Sequence, residues 1–140
     1  MNFQNEKCVM VLEEHLPLGI LANTAAIMGI TLGKQMPEVV GAAVPDQNGK
    51  EHSGIIEFPV PILRSSPERI RQIREQLYQP EFQDLTVVDF SSLAQSCKTY
   101  DEFIGKMRDT PESSLEYFGI AICGAKKKVN RLTGNLALLR

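Results

Sequence analysis

Residues 7–33 constrain the fold of this 140-residue chain more than any other stretch, because they combine a strand, a turn and a helix in immediate succession. The apolar run 8–12 is typical of a strand that is covered on both faces. Pro17 suits a helix start, since its missing N–H would have no partner there. The small residues after it have helical spacing, and we expect Gly29 and Gly33 to mark the end of that helix. The opening therefore predicts an α/β protein.

The remaining chain alternates predicted strands with predicted helices. Asn48-Gly49 is a strong reverse-turn signal, so residues 39–58 are expected to form a hairpin. Pro59 and Pro61 place the following strand at an edge or a bend. Helix starts are expected where a hydroxyl precedes a proline or stands three residues before an acid. The further predicted strands are 60–63, 85–90 and 118–123, and the further predicted helices begin at Ser66, Thr99, Thr110 and Lys126. In the helix that begins at Thr99, Phe103, Ile104 and Met107 are expected to face inward.

This alternation predicts a three-layer α/β/α sandwich with a mixed, mostly parallel sheet. A length of 140 residues favours one domain, residues 1–140, that is large enough to bury a core. Ligands usually bind beyond the carboxyl ends of parallel strands, where helices begin. We therefore expect three segments to converge at the carboxyl end of the strands, namely residues 13–23, 64–66 and 89–92.

The composition argues against several classes of protein. Hydrophobic residues make up 43% and charged residues 23% of the chain, as in ordinary globular proteins. The net charge of −2 gives no bulk attraction to nucleic acids or anionic membranes. Residues 1–7 lack the apolar core of a signal segment, and no apolar run has the length of a membrane span. We therefore expect a cytoplasmic protein.

The predicted ligand site lies at the N-terminus of the first helix. The backbone N–H groups of Leu18, Gly19 and Ile20 would face an anion, since a helix N-terminus carries a partial positive charge. Gly19 would let that anion approach closely, and Asn23, one turn later, would orient a polar ligand. The alternative is that Gly19 only permits close packing and that Asn23 only satisfies a backbone group.

Two titratable side chains are candidate catalytic residues. His15, in the turn beside Glu13 and Glu14, would be a general base tuned by a carboxylate, or simply an exposed loop histidine. Asp89 ends a predicted buried strand, and it would act as a base, orient a ligand or cap the turn that follows. Ser91 would add a hydroxyl to the ligand site, although it lies outside a nucleophile elbow. The sequence leaves these alternatives open.

The three cysteines and the lysine run carry weaker expectations. Cys8 and Cys123 lie in apolar strands and are expected to be inert core residues. Cys97, next to Lys98, is the one thiol with a case for reactivity. Residues 126–128 are three consecutive lysines, which usually form a solvated face rather than a phosphate contact. The sequence has neither a metal-ligand spacing nor a nucleotide-binding loop, so no metal and no cofactor are expected.

The two ends of the chain resemble a known family. Residues 13–33, EEHLPLGILANTAAIMGITLG, and residues 119–139, GIAICGAKKKVNRLTGNLALL, resemble an uncharacterised bacterial domain family related in fold to class II peptidyl-tRNA hydrolases. The second segment follows the hydrolase pattern closely, with Thr133, Gly134 and Leu136 in step. The resemblance covers most of the chain and implies the fold of these hydrolases.

The hairpin and the helices before the last strand would be additions to that fold. The resemblance implies an inserted hairpin around residues 39–58 and inserted helices around residues 99–117. Relatives with this fold also suggest, by analogy, a homodimer.

The first motif differs where the hydrolases carry their chemistry. Gly19 matches their glycine, but Ile20 stands at the position of their lysine, and Asn23 or Thr24 stands near their glutamine. Residues 89–93 are only a partial match to their Asp-Ala-Gly-Arg-Thr motif. An aliphatic side chain cannot contact phosphate or donate a proton as an ammonium does. The resemblance therefore implies the fold but not peptidyl-tRNA hydrolysis.

Three functional hypotheses follow from these residues. The first is a small protein that binds a small polar or anionic ligand at the N-terminus of its first helix. The second is a divergent hydrolase that uses His15, Asp89 or both, with the first-helix amides holding an oxyanion. The third is a dimeric interaction module whose partner surface is the hairpin of residues 39–58. Neither the ligand nor a reaction can be named from the sequence.

Overall fold

The computed structural model describes residues 3–140, so the prediction about residues 1–7 includes two residues outside the described range. Within that range, strands and helices alternate much as the sequence predicts. The strands are β1 Glu6–Glu13, β2 Val44–Pro45, β3 Glu51–His52, β4 Ile62–Ser65, β5 Thr86–Ser91 and β6 Tyr117–Ala125. The α-helices are α1 Leu18–Gln35, α2 Pro67–Leu77, α3 Ser92–Ser96, α4 Tyr100–Arg108 and α5 Lys126–Thr133, and 3-10 helices cover Phe3–Asn5, Pro37–Val39, Pro80–Phe82 and Glu112–Ser114.

Four strands form one mixed sheet in the order β4-β1-β6-β5. β1 and β4 are parallel, with Met10 opposite Ile62, whereas β6 is antiparallel to both of its neighbours. The expectation of a mostly parallel sheet is therefore wrong, because β1–β4 is the parallel pair and the other two pairs are antiparallel. β1, β4 and β5 still run in one direction, and β6 lies between β1 and β5 in the opposite direction.

The direction of β6 follows from the path of the chain between β5 and β6. The Ser92 N–H donates to the Glu116 carbonyl at 2.8 Å, so the connection formed by residues 92–116 starts and finishes at the same end of the strands. A connection that returns to the end where it started makes the next strand antiparallel. A parallel strand instead requires a connection that crosses to the opposite end of the strands. α3 and α4 therefore do not form the crossover that the alternation of elements suggested.

Helices cover both faces of the sheet, as the three-layer prediction requires. Side chains alternate along β1, so that Val9 and Val11 face one side while Cys8, Met10 and Leu12 face the other. The first side packs against buried residues of α2 and α5, and the second packs against buried residues of α1. The core is thus divided into two clusters by the sheet.

Local capping places the helix starts as predicted. Ser66 Oγ accepts the Arg69 N–H at 3.1 Å at the start of α2, and Thr99 Oγ1 accepts the Glu102 N–H at 3.1 Å at the start of α4. α1 passes through its glycines and continues to Gln35, since an internal glycine costs only about 1 kcal/mol. The short helix α3 has no counterpart in the prediction. Among the described residues, no helix combines the length and apolar character that a membrane span requires.

The predicted hairpin is present, but its paired part is short. β2 and β3 contribute two residues each, and Gly49 adopts a φ of 80° in the turn between them. A single bridge joins Val40 to Ile56 nearer the sheet. Val39 belongs to a 3-10 helix instead of a strand. The strand after the hairpin, β4, lies at an edge of the sheet, as the two prolines before it indicated.

Candidate functional site

The carboxyl ends of β1, β4 and β5 lie on the same side of the sheet, at one end of its strands, because these three strands run in one direction. β1 ends at Glu13, level with the end of β4, and β5 ends at Ser91, opposite the first residue of β6. Asn23 in α1 donates from Nδ2 to Gln95 Oε1 in α3 at 3.0 Å. The predicted segment 13–23 is therefore joined to the helix that directly follows β5.

The N-terminus of α1 is an open surface. The Leu18 residue is 82% exposed, and a side chain added at Gly19 would meet nothing within 4 Å. The Ile20 N–H is bonded to the Pro17 carbonyl at 3.0 Å, whereas no described residue accepts the N–H of Leu18 or Gly19. Gly19 is therefore not needed for close packing. Two amides face solvent, and an anion that reached them would stay hydrated.

The two candidate catalytic residues have separate partners. The His15 side chain is 81% exposed, and its Nε2 lies 3.6 Å from Glu14 Oε1. The Asp89 carboxylate accepts a hydrogen bond from Arg74 Nε of α2 at 2.9 Å, so it is already neutralised by a guanidinium. Within residues 3–140, no hydrogen bond or ion pair joins His15 to Asp89. The structure gives them no common contact.

Ser91 has a structural role that the sequence did not indicate. It is 3% exposed, and its Oγ accepts the Ala94 N–H at 3.2 Å. This bond caps α3, which is the expected task of a serine that precedes a helix. Its position at the end of β5 nevertheless brings it to the wall of a cavity that β5 shares with α1 and α4.

A cavity of about 490 Å³ lies between α1, β5 and the α3–α4 segment. Its size falls within the range of pockets that hold small molecules. Asp89 and Ser91 line it, whereas Leu18, Gly19, Ile20 and Asn23 do not. The lining residues are Ile27, Thr31, Val88, Asp89, Phe90, Ser91, Ala94, Cys97, Lys98, Thr99, Tyr100, Phe103 and Met107.

One wall of this cavity is the free edge of the sheet. Four consecutive residues, 88–91 of β5, line it, although neighbouring side chains of a strand point to opposite faces. A cavity touches consecutive strand residues in this way when it meets the strand edge-on. β5 is the last strand of the sheet, so the N–H and C=O groups on its outer side have no strand partner among the described residues.

The opposite wall is α4, an amphipathic helix with no buried residue in the described structure. Phe103 and Met107 turn toward the cavity and stay half-buried. The expectation that Ile104 also faces inward is wrong, because the residue is 44% exposed. α4 packs chiefly against α3, and the space between α4 and β5 stays open. The cavity walls are therefore mostly apolar.

Lys98 supplies the charge of the cavity. The other charged lining residue, Asp89, is paired with Arg74. The Lys98 ammonium has no hydrogen-bond or ion-pair partner in residues 3–140, although its backbone N–H donates to Glu102 at 3.1 Å. An unpaired ammonium beside apolar walls favours a ligand that has both an anionic group and an apolar body.

Sequence reasoning found part of this site and missed the rest. Asp89, Ser91 and the pair Cys97-Lys98 were singled out, and Thr99 was recognised as a helix cap. Ile27 was assigned to the apolar first helix without a role in a site, and Thr31 was not singled out. The helical spacing of Phe103 and Met107 indicated an inward face, but it gave no sign that the face borders an open cavity.

Comparison with solved structures gives a close match in fold. A structure of the protein of unknown function Atu0240 from Agrobacterium tumefaciens strain C58 has a TM-score of 0.86 with this chain. The match covers 96% of this chain and 97% of that one at 16% sequence identity, so the likeness concerns the fold alone. No curated protein matches the sequence. A family model described as "Protein of unknown function (DUF2000)" matches residues 6–140, and the chain therefore belongs to the DUF2000 family.

Proposed function

We propose that this protein binds a small molecule with an anionic group and an apolar body in the cavity between α1, β5 and α4. The observation that carries this proposal is that Lys98, an exposed residue whose ammonium has no partner among the described residues, lines the same cavity as half-buried Phe103 and Met107. The anionic group would pair with Lys98, and the body would cover the apolar walls. Polar atoms of the ligand would bond to the free N–H and C=O groups of β5.

This proposal moves the ligand from the position that the sequence suggested. Leu18 and Gly19 still offer two amides to an anion, and the first turn of α1 carries no acidic residue that would repel one. That contact would be solvent-exposed and weak, because screening by water and salt reduces surface electrostatics. The cavity offers enclosure as well as charge, so we assign the ligand to it.

We further propose that the scaffold is that of the class II peptidyl-tRNA hydrolases without their reaction. The motif residues Thr133, Gly134 and Leu136 support the scaffold, and Ile20 supports the loss of the reaction because it has no ammonium. A turnover assay on peptidyl-tRNA tests this point. The proposal would be contradicted if the protein turned over peptidyl-tRNA at rates typical of enzymes and if Asn23→Ala abolished that turnover.

The divergent-hydrolase alternative has less support. Arg74 engages the Asp89 carboxylate, and His15 is exposed on a turn. A general base must lie within hydrogen-bond reach of the proton that it takes, either directly or through one water. The described contacts bring neither side chain to such a shared point.

Binding can be tested with two dyes that share an apolar body. 1-Anilinonaphthalene-8-sulfonate carries an anionic group, and N-phenyl-1-naphthylamine is its neutral counterpart. We expect the protein to prefer the sulfonate and Lys98→Ala to weaken its binding about fivefold, the equivalent of an ion pair of about 1 kcal/mol. The neutral dye should bind both proteins equally, and fluorescence titration measures all four affinities.

Lys127→Ala is the matched control, because Lys127 is an exposed lysine of α5 that does not line the cavity. It should leave both dye affinities unchanged. Circular dichroism and the thermal midpoint check that each variant stays folded, since this dye also binds partly unfolded proteins. Equal affinity of the wild-type protein for both dyes, or an equal loss in both lysine variants, would overturn the proposal.

A second candidate function is homodimerisation through the hairpin of residues 39–58. Val44 and Ile55 are 56% and 78% exposed on opposite arms of the hairpin, with Val40 also exposed nearby. A groove of about 560 Å³ lies between the arms, and residues 41–44 and 52–57 line it. Apolar side chains exposed together favour a contact with another protein surface.

Light scattering tests this candidate directly. We expect a wild-type mass near twice the 15.6 kDa of one chain, and a return to one chain in Ile55→Lys. Gln76→Lys, an exposed change of similar charge on α2, should keep the dimer. A monomeric wild-type protein, or a dimer that survives Ile55→Lys, would contradict this use of the hairpin.

A further inference from the structure

Two cysteines from opposite ends of the chain meet inside the sheet. Cys8 of β1 is directly opposite Cys123 of β6 in the antiparallel register, and each residue is 1% exposed. Residues opposed in this way share a face, with Cβ atoms about 5 Å apart. A thiol–thiol hydrogen bond between them lowers the pKa of Cys8 and raises that of Cys123, and burial also raises the pKa of Cys123.

Both thiols open onto a second cavity, of about 160 Å³, on the α1 side of the sheet. Met10 lines the same cavity, and it shares a face with Cys8 because it lies two residues further along β1. Met36, at the end of α1, is a fourth sulfur residue in the lining. The rest of the lining is aliphatic or glycine, with no histidine or carboxylate. This cavity gathers soft sulfur donors without hard ones.

We propose that this cavity binds one Cu(I) ion through the sulfurs of Cys8 and Cys123, with the Met10 thioether as a third ligand. Thiolate and thioether ligands select soft cations such as Cu(I). Structural zinc sites instead use four ligands from cysteine, histidine and carboxylate side chains. Within the described residues, no group of three or more such side chains is placed to hold a metal ion. The donor set therefore favours a low-coordinate monovalent ion.

The binding step involves protons and no electrons. The ion arrives as Cu(I), each cysteine thiol releases one proton as its sulfur bonds to copper, and the thioether binds through a lone pair. The small cavity gives the ion room beside the two thiols, and two of the α1 residues that line it, Gly29 and Gly33, add no side chain. This site is separate from the cavity at Lys98.

Competition with the Cu(I) chelator bicinchoninate under anaerobic conditions tests the site. The wild-type protein should take up one equivalent of Cu(I), and Cys8→Ser or Cys123→Ser should lower the affinity by about 100-fold or more, as loss of a ligand exceeds the effects of outer-shell changes. Cys97→Ser is the matched control, since Cys97 lies in the other cavity, and it should bind as the wild type does. Met10→Leu should weaken binding, whereas Met28→Leu should not.

X-ray absorption of the copper-loaded wild-type protein keeps the test independent of variant folding. We expect a first shell of sulfur alone. Failure of the wild-type protein to remove copper from bicinchoninate would overturn the proposal. A first shell of nitrogen or oxygen, or an equal loss of affinity in Cys97→Ser, would overturn it as well.

Discussion

Arg74 Nε donates a hydrogen bond of 2.9 Å to the Asp89 carboxylate, and it thereby ties α2 to the last strand of the sheet. The Arg74 guanidinium also stacks on the Tyr78 ring, 4.1 Å from its centroid. Both partners of the ion pair are largely shielded from solvent. Asp89 therefore has a structural task that accounts for its position without catalysis.

Asp89→Asn should lower the free energy of unfolding by about 1–2 kcal/mol, because the hydrogen bond from Arg74 loses its charged acceptor. Urea denaturation measures this change. Asp109→Asn, at an exposed position, is the control and should have little effect. An unchanged stability in Asp89→Asn would mean that the pair with Arg74 does not stabilise the fold.

Thr24 and Thr133 give opposite predictions for the same substitution. Both are buried, but Thr24 Oγ1 has no hydrogen-bond partner in the described structure, whereas Thr133 Oγ1 donates to the Val129 carbonyl at 2.8 Å. Thr24→Val should raise the free energy of unfolding by about 1 kcal/mol, because an unpaired buried hydroxyl is removed. Thr133→Val should lower it. Chemical denaturation of both variants checks the contrast, and a loss of stability in Thr24→Val would contradict it.

Gly119 and Gly19 also respond differently to the addition of one methyl group. A Cβ at Gly119 would lie 2.7 Å from Leu12 and 2.9 Å from Thr24, whereas one at Gly19 would meet nothing within 4 Å. Gly119→Ala should cost about 1–3 kcal/mol through overpacking of the core. Gly19→Ala should stabilise α1 by about 0.5–1 kcal/mol. Thermal unfolding of the two variants measures the difference, and similar midpoints would contradict it.

Glu112 makes stability depend on pH in a direction that the contacts define. The Tyr117 hydroxyl donates to Glu112 Oε2 at 2.6 Å and lowers the pKa of that carboxyl below its ordinary value of 4.5, and Arg71 lies 3.1 Å from the same oxygen. Because the pKa is lower in the folded state, the ionised carboxylate stabilises the fold above the unfolded-state pKa. That stabilisation is lost as the pH falls through the folded-state pKa.

The urea midpoint of the wild-type protein should therefore fall more steeply than that of Glu112→Gln between about pH 6 and about pH 3. Glu38→Gln, an exposed change of the same kind, should follow the wild-type curve. Parallel curves for the wild type and Glu112→Gln would contradict the role of the Tyr117 contact.

Features that depend on neighbouring residues were predictable from the sequence. The starts of α2 and α4 follow from hydroxyl caps that bond three residues ahead, and the hairpin turn follows from Asn48-Gly49. The opening strand and helix were recognised from one apolar run and one spacing. These elements rest on contacts within a few residues, so the local sequence carries the signal.

The order and direction of the strands were decided by tertiary structure. The alternation of elements suggested mostly parallel pairs. Residues 92–116, however, form a connection whose ends are joined by the Ser92–Glu116 hydrogen bond, and it returns the chain to the end of β5 where it began. β6 therefore enters the sheet antiparallel between β1 and β5. The same non-local pairing sets Cys8 opposite Cys123 and opens a cavity between β5 and α4.

The sequence by itself determined where most of the strands and helices begin, because capping, turn geometry and apolar periodicity act over a few residues. Tertiary structure alone decided that Lys98 lines a mostly apolar cavity and that Cys8 and Cys123 are opposite each other in the sheet. Strand pairing depends on which apolar faces are buried together across the whole chain, and no local pattern contains that information.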